Sequence, residues 1–342
     1  MYRTKYSTKW DEAFEQQVER IRPYMSVYEP KTISGEAYEI PRLGGTEAHE
    51  FSGRSHKMTA DELDTGKTTM RPRQFYNYIE ISANDQLFMG DLDYGFSQIQ
   101  ERQKRAAARF MDMVALGVVK DKVGYRLKTD GDEGYQGGIL GVRYSGNGGL
   151  TPSALDLSMD SFHAGRGNLI PVDYRSSGTG VSANYAGTIL DRLAVAKQRM
   201  EELDVFDGAK PGDICVAMSP AVRRMLRSLE MKLNRDYGFN QLGDEGSAVF
   251  VKELNMTFLV TNMLPKMDTV KSDGTTPVTG ARMCCMWLKS RVAFASWRNT
   301  EWTMKDVNDD AVIDHGLRVR GAVGATRLDE ESVFVLPTVE SM

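Results

Sequence analysis

The sequence contains only three cysteines and no long apolar run. Cys284 and Cys285 are adjacent and Cys215 is far from both, which excludes a disulfide framework or a zinc site and favours thiols buried in strands. Residues 113–119 form the longest strongly apolar stretch, which is far short of the roughly 20 residues that a membrane-spanning helix needs. The first ten residues lack the apolar segment of a secretion signal, so we expect the chain to stay in the cytoplasm where it is made.

An excess of positive charge is also lacking. Lys and Arg number 43 against 47 Asp and Glu, which gives a formal charge of -4. Because a protein that holds nucleic acid by its phosphates needs a cationic face, this balance excludes a basic nucleic-acid binder in bulk. The hydrophobic fraction of 41% and the charged fraction of 26% are ordinary for a chain that folds around a core. The length of 342 residues indicates two domains, or one domain with large insertions.

Motifs for catalysis or ligand binding are weak. The four histidines are scattered without HExxH spacing, and no GxSxG nucleophile elbow occurs. Residues 178–183 match the GxGxxA pattern of a nucleotide site, but the preceding residues 173–177 are polar where a buried strand should deliver the turn. We therefore predict no catalytic, cofactor-binding or metal-binding residues. A nucleotide-dependent enzyme that uses Gly178 and Gly180 is kept as an alternative.

The N-terminal segment predicts an amphipathic helix over residues 9–22. Trp10, Phe14, Val18 and Ile21 fall on one stripe at helical spacing. This short element has few sequence-local partners for its apolar stripe. Two interpretations stay open: the helix packs on its own domain, or it is an arm that docks on a neighbouring molecule.

Two strands are predicted at 36–43 and 73–82, on either side of a long polar connection. Residues 44–72 contain few large apolar side chains, too few to offset the entropy of ordering a packed unit. A connection of this length inside a compact protein is usually functional or disordered. We therefore predict a two-stranded arm that reaches away from the body.

A long helix is predicted from residue 91 to about residue 119. Its apolar side is formed by Phe96, Ile99, Ala106, Phe110, Met113 and Val114. Four cations crowd its middle, namely Arg102, Lys104, Arg105 and Arg109. They form either a solvated basic face or a contact with the acidic surface of a neighbour.

The remainder predicts a mixed body followed by strands. Residues 130–149 hold eight glycines and predict a flexible or tightly turning loop. A helix capped by Ser182 is predicted next, with Ile189, Leu190, Leu193, Ala194, Met200 and Leu203 turned inward. A strand at 214–218 then leads into Ser219 and Pro220, an N-cap followed by proline at the first helical position. Further strands are predicted at 248–252, 256–261, 283–288, 301–304, 317–322 and 332–336.

This order of elements resembles the major capsid proteins of tailed double-stranded DNA bacteriophages, which share the HK97-like fold. The resemblance covers essentially the whole chain. It is carried by the strand at 73–81, which leads through Asn84 and Asp85 into the helix that contains residues 105–112. Ser219 and Pro220 before a helix, residues 258–265, and residues 316–323 before the end of the chain are also typical of the family.

The resemblance implies an α+β fold with five segments. Residues 1–36 would be the N-arm, 37–90 the E-loop, 91–150 the spine helix with part of the P-domain, 151–285 the A-domain and 286–342 the returning P-domain strands. The residues that we expect to contact other subunits are Trp10, Phe14 and Val18 in the N-arm, Phe51, Arg54, Lys57, Leu63 and Lys67 in the E-loop, and Arg102, Arg105 and Arg109 on the spine helix.

The function implied is structural rather than enzymatic. Copies of the chain would assemble into hexamers and pentamers of an icosahedral shell that encloses double-stranded DNA without sequence-specific binding. The implied partners are other copies of the chain, a separate scaffolding protein, a portal protein and decoration proteins, with no cofactor and no membrane. The implied location is the virion, after assembly in the bacterial cytoplasm. A shell protein of an encapsulin-like bacterial compartment is the alternative within the same fold.

Overall fold

A computed structural model describes residues 30–43, 65–82, 92–122, 124–128, 137–145, 151–174, 188–205, 212–233, 248–251, 254–306 and 313–340. Its helices are α1 (Leu92–Leu116), α2 (Met159–His163), α3 (Ile189–Glu202) and α4 (Pro220–Leu233). The strands are β1 (Pro30–Thr32), β2 (Tyr38–Leu43), β3 (Thr65–Met70), β4 (Arg73–Ser82), β5 (Val118–Lys120), β6 (Tyr125–Leu127), β7 (Arg143–Ser145), β8 (Thr151–Ser153), β9 (Ile214–Met218), β10 (Ala248–Val251), β11 (Met256–Val260), β12 (Lys266–Val270), β13 (Pro277–Leu288), β14 (Val292–Asp306), β15 (Ile313–Arg327) and β16 (Val333–Thr338). This mixed architecture agrees with the predicted α+β class.

A four-stranded sheet in the order β1-β14-β15-β4 lies against the long helix α1. Strands β14 and β15 have 15 residues each and are antiparallel, and β4 pairs antiparallel with the other edge of β15. The ring of Phe75 on β4 lies 5.0 Å from that of Phe110 on α1. The predicted helix at 91–119 is confirmed, and it ends before Gly117, whose φ of 77° belongs to the left-handed region.

The buried face of α1 is displaced from the predicted one. Its buried residues include Gln100, Gln103, Lys104, Ala107, Met111, Val114 and Ala115. Of the predicted apolar side, Ile99, Ala106, Phe110 and Met113 are only partly buried. The polar residues of the buried stripe bond across the interface, since Gln103 Nε2 donates to the carbonyl oxygen of Leu317 at 3.2 Å.

A second sheet of six strands forms the other half of the body. Strands β10, β11, β9, β13 and β12 follow one another, and β16 also pairs with β13. The strand predicted at 214–218 is confirmed, and all five of its residues are buried. Ser219 Oγ accepts a hydrogen bond from the Val222 backbone N–H at 3.3 Å, as the predicted N-cap of α4 requires. The three cysteines are buried in these strands, as predicted.

The prediction of which α3 residues face inward is partly wrong. Thr188 caps this helix, and the predicted cap Ser182 lies outside the described residues. Ala194 and Leu203 are exposed, whereas the charged Arg192 is buried and donates to the carbonyl oxygen of Pro337 and to Thr338 Oγ1. A guanidinium that carries its own donors can replace an aliphatic side chain where backbone carbonyls line the site.

The predicted arm is a hairpin, but its second strand is not β4. Strand β2 pairs antiparallel with β3, which lies in the stretch that was predicted to be a polar connection. β4 belongs to the four-stranded sheet instead. Strand β3 also pairs with β7, and β7 with β8, so a third sheet in the order β2-β3-β7-β8 joins the hairpin to the body.

One contiguous core connects α1, α3 and the six-stranded sheet. Trp287, Phe258 and Met218 are among its largest fully buried side chains. In the described part of the chain, every helix is too short or too polar to cross a membrane.

Candidate assembly surface

Strand β2 of the hairpin β2–β3 is tied to the body by a buried carboxylate. Asp329, in the turn between β15 and β16, forms ion pairs with Arg42 of β2 and with Arg291, the latter at 3.5 Å. Burial lowers the pKa of Arg42, and the nearby charges of Arg143 and Arg291 lower it further. The carboxylate of Asp329 therefore offsets the charges of several neighbouring cations where β2 meets the turn between β15 and β16.

A second carboxylate in the same turn joins the neighbouring strands. Glu330 accepts a hydrogen bond from Arg327 Nε at 2.7 Å and one from Arg143 Nε at 2.9 Å. Arg327 is fully buried, and its other nitrogens donate to the carbonyl oxygens of Gly141 and Ser153, the latter at 2.9 Å. Charge-assisted hydrogen bonds of this kind fix orientation as well as adding stability. Strands β2 and β7 of the third sheet are therefore tied to the same turn through Arg42 and Arg143.

Four residues predicted to contact neighbours lie in the described part, and all four are exposed. Arg102, Arg105 and Arg109 occupy the outer side of α1 at helical spacing. Arg105 forms an ion pair with Glu101, and Arg109 Nε donates to the Arg105 carbonyl oxygen at 3.2 Å. Lys67 on β3 is paired with Glu39 of its own chain at 2.8 Å.

Lys104 does not belong to this basic face, which corrects the sequence interpretation. Its exposed fraction is 1%. Burial lowers its pKa, and the charge of Glu101 acts in the opposite direction. Residue 104 follows Gln100 and precedes Ala107 and Met111 on the buried stripe, so helical periodicity turns it toward the sheet.

The other predicted contact residues lie outside the described part of the chain. They are Trp10, Phe14, Val18, Phe51, Arg54, Lys57 and Leu63. Their role in contacts between subunits stays a prediction. Gly178 and Gly180 of the alternative nucleotide site also lie outside it.

The outer face of the four-stranded sheet was missed as a candidate surface. Tyr76 and Tyr78 of β4 are 76% and 40% exposed, and Arg318 of β15 is exposed beside them. The signal was present in the sequence, because β4 carries large side chains at both parities of the strand. The anchoring residues Arg327, Asp329 and Glu330 were also missed, since they lie at the end of β15 and in the turn after it, which no sequence pattern marks.

Burial affects the reactivity of two of the described cysteines. Burial raises the pKa of Cys215 to about 12 and that of Cys284 to about 11, so both thiols are protonated at neutral pH and are poor nucleophiles. Within the described ranges, no group of three or more His, Cys, Asp or Glu side chains could hold a metal ion.

No family model matches the sequence, and no curated protein matches it. Solved structures do match the fold. A chain of the Ralstonia phage GP4 capsid is 12% identical with a TM-score of 0.55, over 92% of this chain and 88% of that one. A chain of the mature capsid of bacteriophage PhiM1 is 12% identical with a TM-score of 0.54, over 92% and 86%. One from Gordonia phage Cozz is 13% identical with a TM-score of 0.57, over 94% and 87%.

This chain has the phage capsid fold. Each match covers nearly the whole length of this chain and of the capsid chain it is compared with. The likeness therefore concerns the complete architecture. The capsid fold implied by the sequence resemblance is therefore confirmed. The boundaries of the N-arm, E-loop, P-domain and A-domain stay predictions.

Proposed function

We propose that this protein is a structural major capsid protein whose copies assemble into the hexamers and pentamers of an icosahedral phage shell. The single observation that supports this most strongly is the fold likeness to phage capsid chains over more than 90% of this chain. An acidic chain also suits a container for DNA, because a wall without a strong cationic face does not hold the polyanion by counterion release.

The anchored hairpin supports the same role. A hairpin that is fixed to the body through β2 can contact a neighbouring copy, and heterologous contacts that close under rotation produce rings. In this proposal, the hairpin lies within the E-loop at 37–90, α1 is the spine helix, and strands β9 to β12 lie in the A-domain at 151–285. The shell encloses double-stranded DNA, and a scaffolding protein, a portal protein and decoration proteins complete the particle. Assembly takes place in the bacterial cytoplasm and the final location is the virion.

The test is assembly itself. The full chain is expressed with its scaffolding protein, and the product is studied by negative-stain electron microscopy and by size-exclusion chromatography with light scattering. We expect closed shells of uniform diameter. A monomer at every concentration, with and without the scaffold, would refute the proposal.

The exposed cations of α1 allow the proposal to be tested by substitution. Replacing Arg102, Arg105 and Arg109 by Gln should reduce the yield of shells and leave the free energy of unfolding of the subunit almost unchanged, since exposed ion pairs contribute little to stability. The matched control replaces Lys122, Arg166 and Lys271, which are exposed elsewhere and give the same change in net charge. Equal shell yields in the two triple variants would exclude a specific contact at α1.

A further inference from the structure

The outer face of the four-stranded sheet combines two exposed aromatic rings with an arginine. The antiparallel register places Tyr76 opposite Arg320 and Tyr78 opposite Arg318. Residues of the other parity on β4 face α1, since Asn77 Oδ1 accepts a hydrogen bond from Gln103 Nε2 at 3.4 Å. The two tyrosines therefore point away from the helix. Among the described residues, they are the aromatic side chains that are classed as exposed.

Two of the arginines on this face have a carboxylate partner among the described residues of the same chain, and a third does not. Arg298 and Arg320 share the carboxylate of Glu301, each at 3.1 Å. Arg318 faces uncharged neighbours across both adjoining strands, Tyr78 on β4 and Thr303 on β14. It forms no ion pair with any residue in the described part of the chain. The face therefore offers one exposed guanidinium beside two rings.

A surface of this composition is suited to a protein partner with carboxylates around an apolar side chain. Tyr and Arg are enriched among the residues that carry most of the binding energy in interfaces. The chain itself carries a complementary element at the end of α3. Leu203 there is 45% exposed, and its sequence neighbours Glu202 and Asp204 are exposed as well. Both elements are exposed in the same subunit, so they do not cover each other within one chain.

We propose that the outer sheet face receives the turn at 201–204 of a neighbouring copy, with Leu203 on the rings of Tyr76 and Tyr78 and a carboxylate of that turn on Arg318. The contact is heterologous, because two different surfaces of the same chain meet, and such contacts generate closed rings when the rotation between copies closes. This inference rests on the proposed function and adds the surfaces through which copies meet.

Cysteine trapping tests the proposal directly. Tyr76→Cys chains are mixed with Leu203→Cys chains, assembled, oxidised mildly and resolved on a non-reducing gel. The native thiols are buried, so only the introduced ones are accessible. We expect a crosslinked dimer from the mixture and none from either variant alone, because a disulfide requires Cα atoms within about 7 Å. Ser290→Cys, at another exposed position, replaces Tyr76→Cys in the control mixture. Dimers from Tyr76→Cys alone, or equal dimers in the control, would overturn the proposal.

Charge reversal supplies an independent measurement. Arg318→Glu and Glu202→Arg should each slow assembly by about tenfold or more, since like charges meet, and the double variant should recover most of the wild-type rate. Thermal unfolding of each subunit shows whether it is folded. Recovery when Glu202→Arg is combined with Arg102→Glu instead would assign the acidic turn to α1 and refute the sheet face. If the wild-type chain assembles but neither trapping nor rescue occurs, this inference fails and the proposed function stands. If the wild-type chain never assembles, both fail.

Discussion

At the scale of single residues, Asp204 occupies a position that usually belongs to glycine. It follows α3 with a φ of 52°, in the left-handed region. The Val205 N–H donates to the Met200 carbonyl oxygen and the Asp204 N–H to that of Glu201, both at 3.1 Å, which is the Schellman arrangement. A Cβ atom is strained there, and a carboxylate at the negative end of a helix is unfavourable.

Asp204→Gly should therefore stabilise the subunit. We expect the free energy of unfolding to rise by about 1 kcal/mol, because glycine adopts this conformation without strain. Urea unfolding of the unassembled subunit measures the change. Gly165→Ala is the matched control, since Gly165 has a φ of 76° in open space and the substitution should cost about the same amount. A less stable Asp204→Gly subunit would contradict this account of the turn.

Single residues also show where sequence patterns are informative. The burial of Cys215, Cys284 and Cys285 could be predicted because an unpaired thiol is a small apolar group. The burial of Lys104 could not, because charge type predicts exposure and only the packing of α1 on the sheet decides the angle at which the helix sits.

At the scale of elements, the end of α1 depends on two glycines. Gly138 has a φ of 109°, and a Cβ atom there would lie 2.4 Å from the backbone nitrogen of Gly117. This close approach lets the Ile139 N–H donate to the Ala115 carbonyl oxygen at 2.9 Å and the Leu140 N–H to that of Leu116 at 3.0 Å. The last carbonyls of the helix, which have no partner within it, are thereby satisfied by the glycine-rich loop.

Gly138→Ala should disrupt this junction. We expect a loss of about 3 kcal/mol or more in the free energy of unfolding, because a backbone clash adds to the unfavourable φ. The control is Gly274→Ala, where φ is 69° and no atom lies within 4 Å, so only the conformational cost of about 1 kcal/mol is expected. Chemical unfolding of both variants gives the comparison. Equal losses would show that the contact with Gly117 is unimportant.

The hairpin gives the second prediction at this scale. Asp329→Asn should increase the hydrogen exchange of the β2 and β3 amides, because the variant leaves Arg42 without its carboxylate. Exchange in β9 and β13, which lie in the other sheet, should not change. Glu39→Gln is the control, since it removes the exposed pair with Lys67, which contributes little. The same exchange pattern in both variants would refute the role of Asp329 as an anchor.

Elements with a clear period were predictable from the sequence, and those defined by distant partners were not. β4 and β9 have the predicted bounds, because each is an apolar or aromatic run between turn residues. β3 was missed, since its sequence TGKTTM has no apolar alternation and it is a strand because β2 and β7 pair with it. β14 and β15 have 15 residues each where strands of four and six residues were predicted, because pairing with each other extends them through small and polar residues.

At the scale of the whole molecule, the body is self-sufficient and the candidate contacts lie outside its core. The core is continuous from α1 to the six-stranded sheet and includes Trp287, which has no exposed surface. The basic side of α1 and the outer sheet face contribute surface rather than core. Folding and assembly should therefore respond to different substitutions.

The apolar stripe of the predicted N-terminal helix separates effects on assembly from effects on folding. Trp10→Ala combined with Phe14→Ala should reduce the fraction of protein in shells several-fold while the subunit unfolds at nearly its original free energy, because we predict that these side chains dock on a neighbour. Sedimentation gives the shell fraction and urea unfolding gives the stability. Trp287→Ala is the control of the same residue type, and it should lower the free energy of unfolding by about 3 to 5 kcal/mol, as expected for a large cavity in a core. If the double variant loses folding as Trp287→Ala does, the stripe packs on its own subunit, and the alternative interpretation of the N-terminal helix is correct.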